Sequence, residues 1–296
     1  MFVGFESRLV PLEPAPIFAR IAGSGPPLLL LHGFPETHLM WRDIAPILAQ
    51  QFTVICADLR GYGQSGTPPS APDHGPYSKR ALADDMVKLM KSFGHDRFVV
   101  AGHDRGGRVA YRMALDHPSI VERLAVLDIV PTADAWDRAS ARFALSFWPW
   151  SLLAQPAPLP EQIIGAAPDA VIRSALSGWG SPCSIFPQAA YADYTAMLGD
   201  REHLHAICEE YRAAATLDYD HDVVDRDAGK RIACPVLALW SRSGGLAQWY
   251  IGEGGPLAIW RAWCEHAEGH AVEGGHFFPE EFPSETATEL GRFLEN

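Results

Sequence analysis

Residues 97–114 constrain this chain more than any other stretch. Arg97 to Ala101 is an apolar, strand-like run that passes into Gly102-His103-Asp104-Arg105-Gly106-Gly107. It re-emerges as Val109, Ala110, Met113 and Ala114 at helical spacing. Small residues on both sides of Asp104 let strand and helix approach closely, so one side chain is pinned at the apex of a sharp turn. A carboxylate held there can act as a covalent nucleophile.

The rest of the chain supplies a setting for that turn. Leu28-Leu29-Leu30-Leu31, ending at His32-Gly33, reads as a strand buried on both faces. Met40, Ile44, Ile47 and Leu48 recur at helical spacing, Thr53 to Ala57 is a second strand, and Leu82, Met86, Leu89, Met90 and Phe93 mark an amphipathic helix. Leu124 to Leu127 is a further strand. This alternation predicts a mostly parallel sheet flanked by helices. From about Pro131 to about Asp227 aromatic clusters, helix-like segments and proline-rich pieces replace the strand signals, which return at Pro235 to Trp240 before a closing helix with Leu290, Phe293 and Leu294. The small-x-nucleophile-x-small-small spacing around Asp104 matches the nucleophile elbow, so the expected architecture is the α/β-hydrolase fold. Its core would span residues 1–130 and 228–296, with a helical cap inserted over 131–227. The GxG of Asp58 to Ser65 is not followed directly by a helix, which argues against a nucleotide loop.

Bulk properties exclude several function classes. With 24 Lys and Arg against 36 Asp and Glu, the net charge of −12 argues against nucleic acid or an anionic membrane as partner, and an anionic substrate would need a local basic site. Cys56, Cys183, Cys208, Cys234 and Cys264 are scattered without CxxC or Cys/His ligand spacing, which predicts reduced thiols, no disulfide and no metal. No basic region followed by a long apolar run opens the chain, and no 18 consecutive residues are apolar. A soluble cytoplasmic protein is expected.

Hydrolysing an aspartyl ester needs a base and a group to orient it. His276, in Glu273-Gly274-Gly275-His276-Phe277-Phe278-Pro279, lies in a turn before the final helix, where this fold places its base. The strand after the cap ends in Trp240-Ser241-Arg242-Ser243-Gly244, which has no carboxylate. The preceding strand ends in Leu127-Asp128-Ile129, so Asp128 is the expected orienting acid, with a turn-capping role as its alternative. The ester's oxyanion would be met by two backbone N–H groups, those of Phe34 in His32-Gly33-Phe34-Pro35 and of Arg105. Arg105 and Arg108 share a helix face beside the nucleophile. Two guanidinium forks there predict a substrate carboxylate close to the reacting carbon, unless one of them is taken up in an ion pair with Asp104 or a cap acid.

These residues carry a family resemblance. Gly102-His103-Asp104-Arg105-Gly106-Gly107-Arg108, His32-Gly33-Phe34-Pro35-Glu36-Thr37, Leu127-Asp128-Ile129, Cys208-Glu209-Glu210-Tyr211-Arg212-Ala213 and Gly275-His276-Phe277 resemble the fluoroacetate (haloacetate) dehalogenases over nearly the whole chain. Related dehalogenases and epoxide hydrolases usually carry Trp where Arg105 stands. The resemblance implies SN2 attack of Asp104 on a 2-haloacetate, halide expulsion, ester hydrolysis by His276 with Asp128, carboxylate binding by Arg105 and Arg108, no cofactor, and often a homodimer. It also implies a halide pocket of His, Trp and Tyr, whose last two members map onto Trp150 and Tyr211 while the histidine position holds Pro149. Proline has no N–H to offer a halide, so fluoride release is expected to be weakened. On the residues alone, Trp150 and Tyr211 could equally be core aromatics. An epoxide hydrolase would use Asp104, Asp128 and His276 with cap tyrosines Tyr211, Tyr191 or Tyr194. A non-catalytic receptor for a small carboxylate would not need all three of nucleophile, base and acid.

Overall fold

A computed structural model of the chain describes residues 1–295. Eight strands form one sheet: β1 (Glu6–Val10), β2 (Ile17–Ala22), β3 (Pro27–Leu31), β4 (Thr53–Ala57), β5 (Phe98–His103), β6 (Val121–Leu127), β7 (Val236–Ser241) and β8 (Ala267–Val272). Their order is β1-β2-β4-β3-β5-β6-β7-β8. From β4 onward every pairing is parallel, and only the β1–β2 and β2–β4 pairings are antiparallel. The apolar runs of β3, β4 and β5 are almost wholly inaccessible, as strands covered by helices on both faces must be. Two of the covering helices are Lys79–Ser92 and Asp104–Asp116.

Between β6 and β7 the chain forms helices, from Thr132–Asp137 to Leu217–Asp227, with no strand among them. Two details differ from the sequence pattern. Met40, Ile44, Ile47 and Leu48 do not share one helix: a 3-10 turn at His38–Trp41 ends before a single α turn at Ala45–Leu48. Pro46 lies in the first turn of the latter and has no N–H with which to continue an earlier helix. The antiparallel edge, β1, was not legible because Glu6-Ser7-Arg8-Leu9 is exposed throughout and carries no alternation. No helix among the described residues is long and apolar enough to cross a membrane. All five cysteines are unpaired, with Cys56, Cys208 and Cys264 buried.

Candidate active site

The turn at Asp104 is as tight as its glycines allow. A Cβ on Gly102 would lie 2.4 Å from the Gly106 carbonyl oxygen, and one on Gly106 would lie 2.4 Å from that of His32, so neither position can bear a side chain without separating strand from helix. Asp104 has φ +43°, an unfavourable value for a residue with a Cβ, imposed by the closing of β5 onto the following helix. Its buried carboxylate accepts a hydrogen bond from the Phe34 N–H at 3.0 Å. The Arg105 N–H stands in the first turn of the elbow helix, where no intrahelical acceptor exists. Burial alone would raise the Asp104 pKa. The neighbouring His276, Arg105, His103 and Arg108 outweigh it and hold the carboxyl below the usual range, so Asp104 is ionised.

Asp128, at the end of β6, also has a positive φ, +53°. Its Oδ1 accepts from the Ser241 N–H at 2.9 Å and its Oδ2 is 2.6 Å from His276 Nδ1. With Nδ1–H given to Asp128, the His276 ring leaves Nε2 as its free basic nitrogen, and that buried atom has no protein partner. The histidine is fixed from three other sides. Its N–H donates to the Trp179 carbonyl at 2.8 Å, its carbonyl lies 2.9 Å from His103 Nε2, and its ring meets Trp179 edge-on at 5.3 Å. Trp179 comes from the helical insertion, and nothing in its sequence setting pointed to this role.

Arg105 and Arg108 are both buried but differently held. Arg105 is fully enclosed and donates through Nε and Nη2 to Glu210 at 2.6–2.9 Å, which realises for this residue the alternative of an ion pair to an acid of the helical insertion. Glu210 is also paired with Lys79, and these two cations overcome the effect of burial and keep its pKa low. One Arg105 nitrogen, Nη1, remains without a partner. Arg108 donates through Nη1 to the Val130 carbonyl at 2.9 Å, while its Nε is unpartnered. Burial and the neighbouring Arg105 lower the Arg108 pKa. Two guanidiniums thus each keep one buried nitrogen uncommitted beside the ionised carboxylate of Asp104, Arg105 Nη1 with two N–H groups and Arg108 Nε with one.

Trp150 and Tyr211 are both 3 % exposed and pack on these arginines, Arg108 lying 4.4 Å from the Trp150 ring centroid and Arg105 3.9 Å from that of Tyr211. Pro149 lies in the first turn of the Trp148–Leu153 helix. Asp104, Arg108, Asp128 and Trp150 line a single internal cavity. Tyr191 is remote from this constellation, its hydroxyl bonded to Asp169 at 2.9 Å on the surface. Tyr194 is buried against Glu280, Glu36 and Arg42. Sequence reasoning missed Glu210 as the partner of Arg105, although the resemblance motif contains it, and missed Trp249 and Tyr250, which close the cavity from the segment after β7. Among the described residues no group of three or more His, Cys, Asp or Glu is arranged to hold a metal ion.

A parallel sheet carrying a carboxylate at the strand-to-helix elbow and a histidine–aspartate pair beyond the strand ends defines an α/β-hydrolase. A family model described as alpha/beta hydrolase fold matches residues 26–283. The chain is 44% identical over 295 residues to a fluoroacetate dehalogenase of Burkholderia sp, covering 99% of this chain and 95% of that protein. It is 33% identical over 266 residues to a soluble epoxide hydrolase of Corynebacterium sp. (strain C12), covering 88% and 87%. A crystal structure of a provisionally assigned alpha/beta hydrolase from Nostoc sp PCC 7120 superposes with a TM-score of 0.94 at 46% identity, covering 99% of both chains. The chain belongs to the haloacetate dehalogenase family of the α/β-hydrolase superfamily, and it is a hydrolase.

Proposed function

We propose that the protein converts 2-haloacetates to glycolate and halide through a covalent aspartyl ester. The observation that carries this reading is the pair of unpartnered, buried guanidinium nitrogens, Arg105 Nη1 and Arg108 Nε, beside an ionised and equally buried Asp104. Such a site suits a small carboxylate whose neighbouring carbon is to be attacked. An Asp104 oxygen forms a bond to the halogen-bearing carbon as the carbon–halogen bond breaks, the electron pair leaving with the halide. His276 Nε2 then takes a proton from a water molecule as its oxygen adds to the Asp104 ester carbonyl. Asp128 stabilises the resulting imidazolium. The Phe34 and Arg105 N–H groups meet the oxyanion, collapse of the intermediate releases glycolate with the proton from His276, and the carboxylic acid left at Asp104 gives its remaining proton to solvent to restore the carboxylate. The halide would leave against Trp150 and Tyr211.

The epoxide hydrolase reading draws support from the 33% identical relative. It is the weaker one, because of the three tyrosines that could protonate an epoxide oxygen only Tyr211 lies against the arginines. We extend the proposal to residues 131–227 as a cap over the site, to a cytoplasmic enzyme, and to a homodimer, for which sedimentation is the direct measurement.

Halide and diol are measured after incubation with chloroacetate and with a styrene-type epoxide. Halide release is expected from chloroacetate, and Asp104→Asn should reduce it by about 10⁴-fold or more. Full-rate halide release by the variant would rule out the covalent route, and diol without halide would favour the epoxide reading. Because Pro149 donates nothing to the leaving group, fluoroacetate should turn over more slowly than chloroacetate, and ion-selective electrodes run side by side decide the order.

A further inference from the structure

The cavity that contains Asp104 is small, about 10 Å³, the room of about one water molecule. A second cavity, of about 230 Å³, is lined by the exposed Arg142 together with Trp179 and His276. The two share three lining residues, Asp128, Phe147 and Trp249. Asp128 is fixed by His276 and Ser241, so the wall between the cavities is made by Phe147 and Trp249, whose rings meet edge to face at 4.9 Å.

Both rings are partly buried, but they sit on different kinds of backbone. Phe147 is surrounded by the rings of Phe143, Trp179, His276 and Trp249, all with centroids within 5.8 Å. Trp249 packs on Phe143 at 5.6 Å as well as on Phe147. It ends a five-residue helix, Gly245–Trp249, within a stretch whose residues 244, 245, 252, 254 and 255 are all glycine. Its indole lies in space that only a glycine leaves open, since a Cβ on Gly245 would come within 2.4 Å of the Trp249 Cζ2 atom.

We propose that Trp249 is the specificity-determining gate of this enzyme. Its indole separates an outer vestibule from the reaction cavity, swings over Gly245 to open a space that otherwise holds about one water molecule, and so sets how large an acid that space admits. The inference rests on the haloacetate reading and assigns the size limit on the acid to one side chain.

The test compares kcat/KM for 2-chloropropionate and chloroacetate, each read as chloride release. In Trp249→Ala the two cavities merge, and the ratio of the longer to the shorter acid should rise by about tenfold or more, the scale on which one methyl group is discriminated in an apolar pocket. Gly245→Ala displaces the indole without deleting it and should shift the ratio in the same direction. Trp249→Phe retains a ring in the wall and should stay near the wild-type ratio. A ratio unchanged in both Trp249→Ala and Gly245→Ala, with chloroacetate still turned over, overturns the gate alone. Wild-type protein that releases no chloride from either acid overturns the haloacetate reading, and the gate with it.

Discussion

Glu210 shows how much one acidic side chain determines at this site. It takes two of the three Arg105 nitrogens and neutralises Lys79, so it fixes which nitrogen of Arg105 stays uncommitted and holds the guanidinium flat on Tyr211. Removing one partner of a buried ion pair strands the other charge, a loss of about 3–5 kcal/mol. Glu210→Gln is therefore expected to lower the melting temperature by roughly 6 °C or more, and thermal denaturation followed by circular dichroism measures it. A variant as stable as the parent would mean that Arg105 and Lys79 find other acceptors. Trp150 is a second case in which residue chemistry alone is ambiguous. As a tryptophan it reads equally well as core, and what the structure adds is the Arg108 guanidinium 4.4 Å over its face.

At the scale of elements, the loop after β3, the end of β5 and the histidine loop after β8 are joined behind the site by buried titratable groups. Glu36 Oε2 lies 3.3 Å from His103 Nδ1, and Glu280 beside it is paired with Arg42. Burial, with the negative charge of Asp104 added and opposed by Glu280 and Arg42, pushes the Glu36 carboxyl up from 4.5 to about 7. Glu280 is pushed up as well, chiefly by burial and then by Glu36 itself. A carboxyl whose pKa is higher in the folded than in the unfolded state binds its proton more tightly when folded. Its stabilising contribution is complete below about pH 4.5 and is lost as pH rises toward about 7. The loss is on the order of 3 kcal/mol for Glu36. Melting temperatures measured from pH 5 to pH 8 should fall more steeply for the wild type than for Glu36→Gln, which has no proton to lose. Parallel curves would show that Glu36 does not change protonation on folding.

For the molecule as a whole, the helices between β6 and β7 are attached to the sheet layer through the elbow helix itself. Arg112 donates to Asp222 at 2.7 Å and also pairs with Asp225, while Tyr111 donates to the other Asp222 oxygen at 2.7 Å. Both acids lie on the Leu217–Asp227 helix, so the element that carries Asp104 also anchors the far end of the helices between β6 and β7. Arg112→Met would leave Asp222 buried without its cation. Limited proteolysis should then cut within residues 132–227 sooner than in the sheet, and equal acceleration of both would place the loss in the core instead.

Much of this organisation could be read from the chain. The elbow around Asp104, the buried strands, the location of His276 and the substitution of Asp128 for an acid after β7 all follow from local patterns. Glycine spacing, apolar runs and the absence of a carboxylate from Ser241-Arg242-Ser243 are properties of contiguous residues. The split of the Met40 to Leu48 pattern was hidden because a period of apolar residues does not reveal where Pro46 interrupts the hydrogen-bond ladder. Glu210, Trp179 and Trp249 were hidden for a different reason. Each meets a partner 97 or more residues away, and no local pattern records which distant side chain will complete it. The sequence by itself determined the place of Asp104 at the elbow and the kind of sheet that presents it, because a strand-to-helix turn is built from neighbours. Only the tertiary structure decided how many N–H groups the two arginines retain and how little space surrounds Asp104, because charge compensation and cavity volume are set by side chains that folding alone brings together.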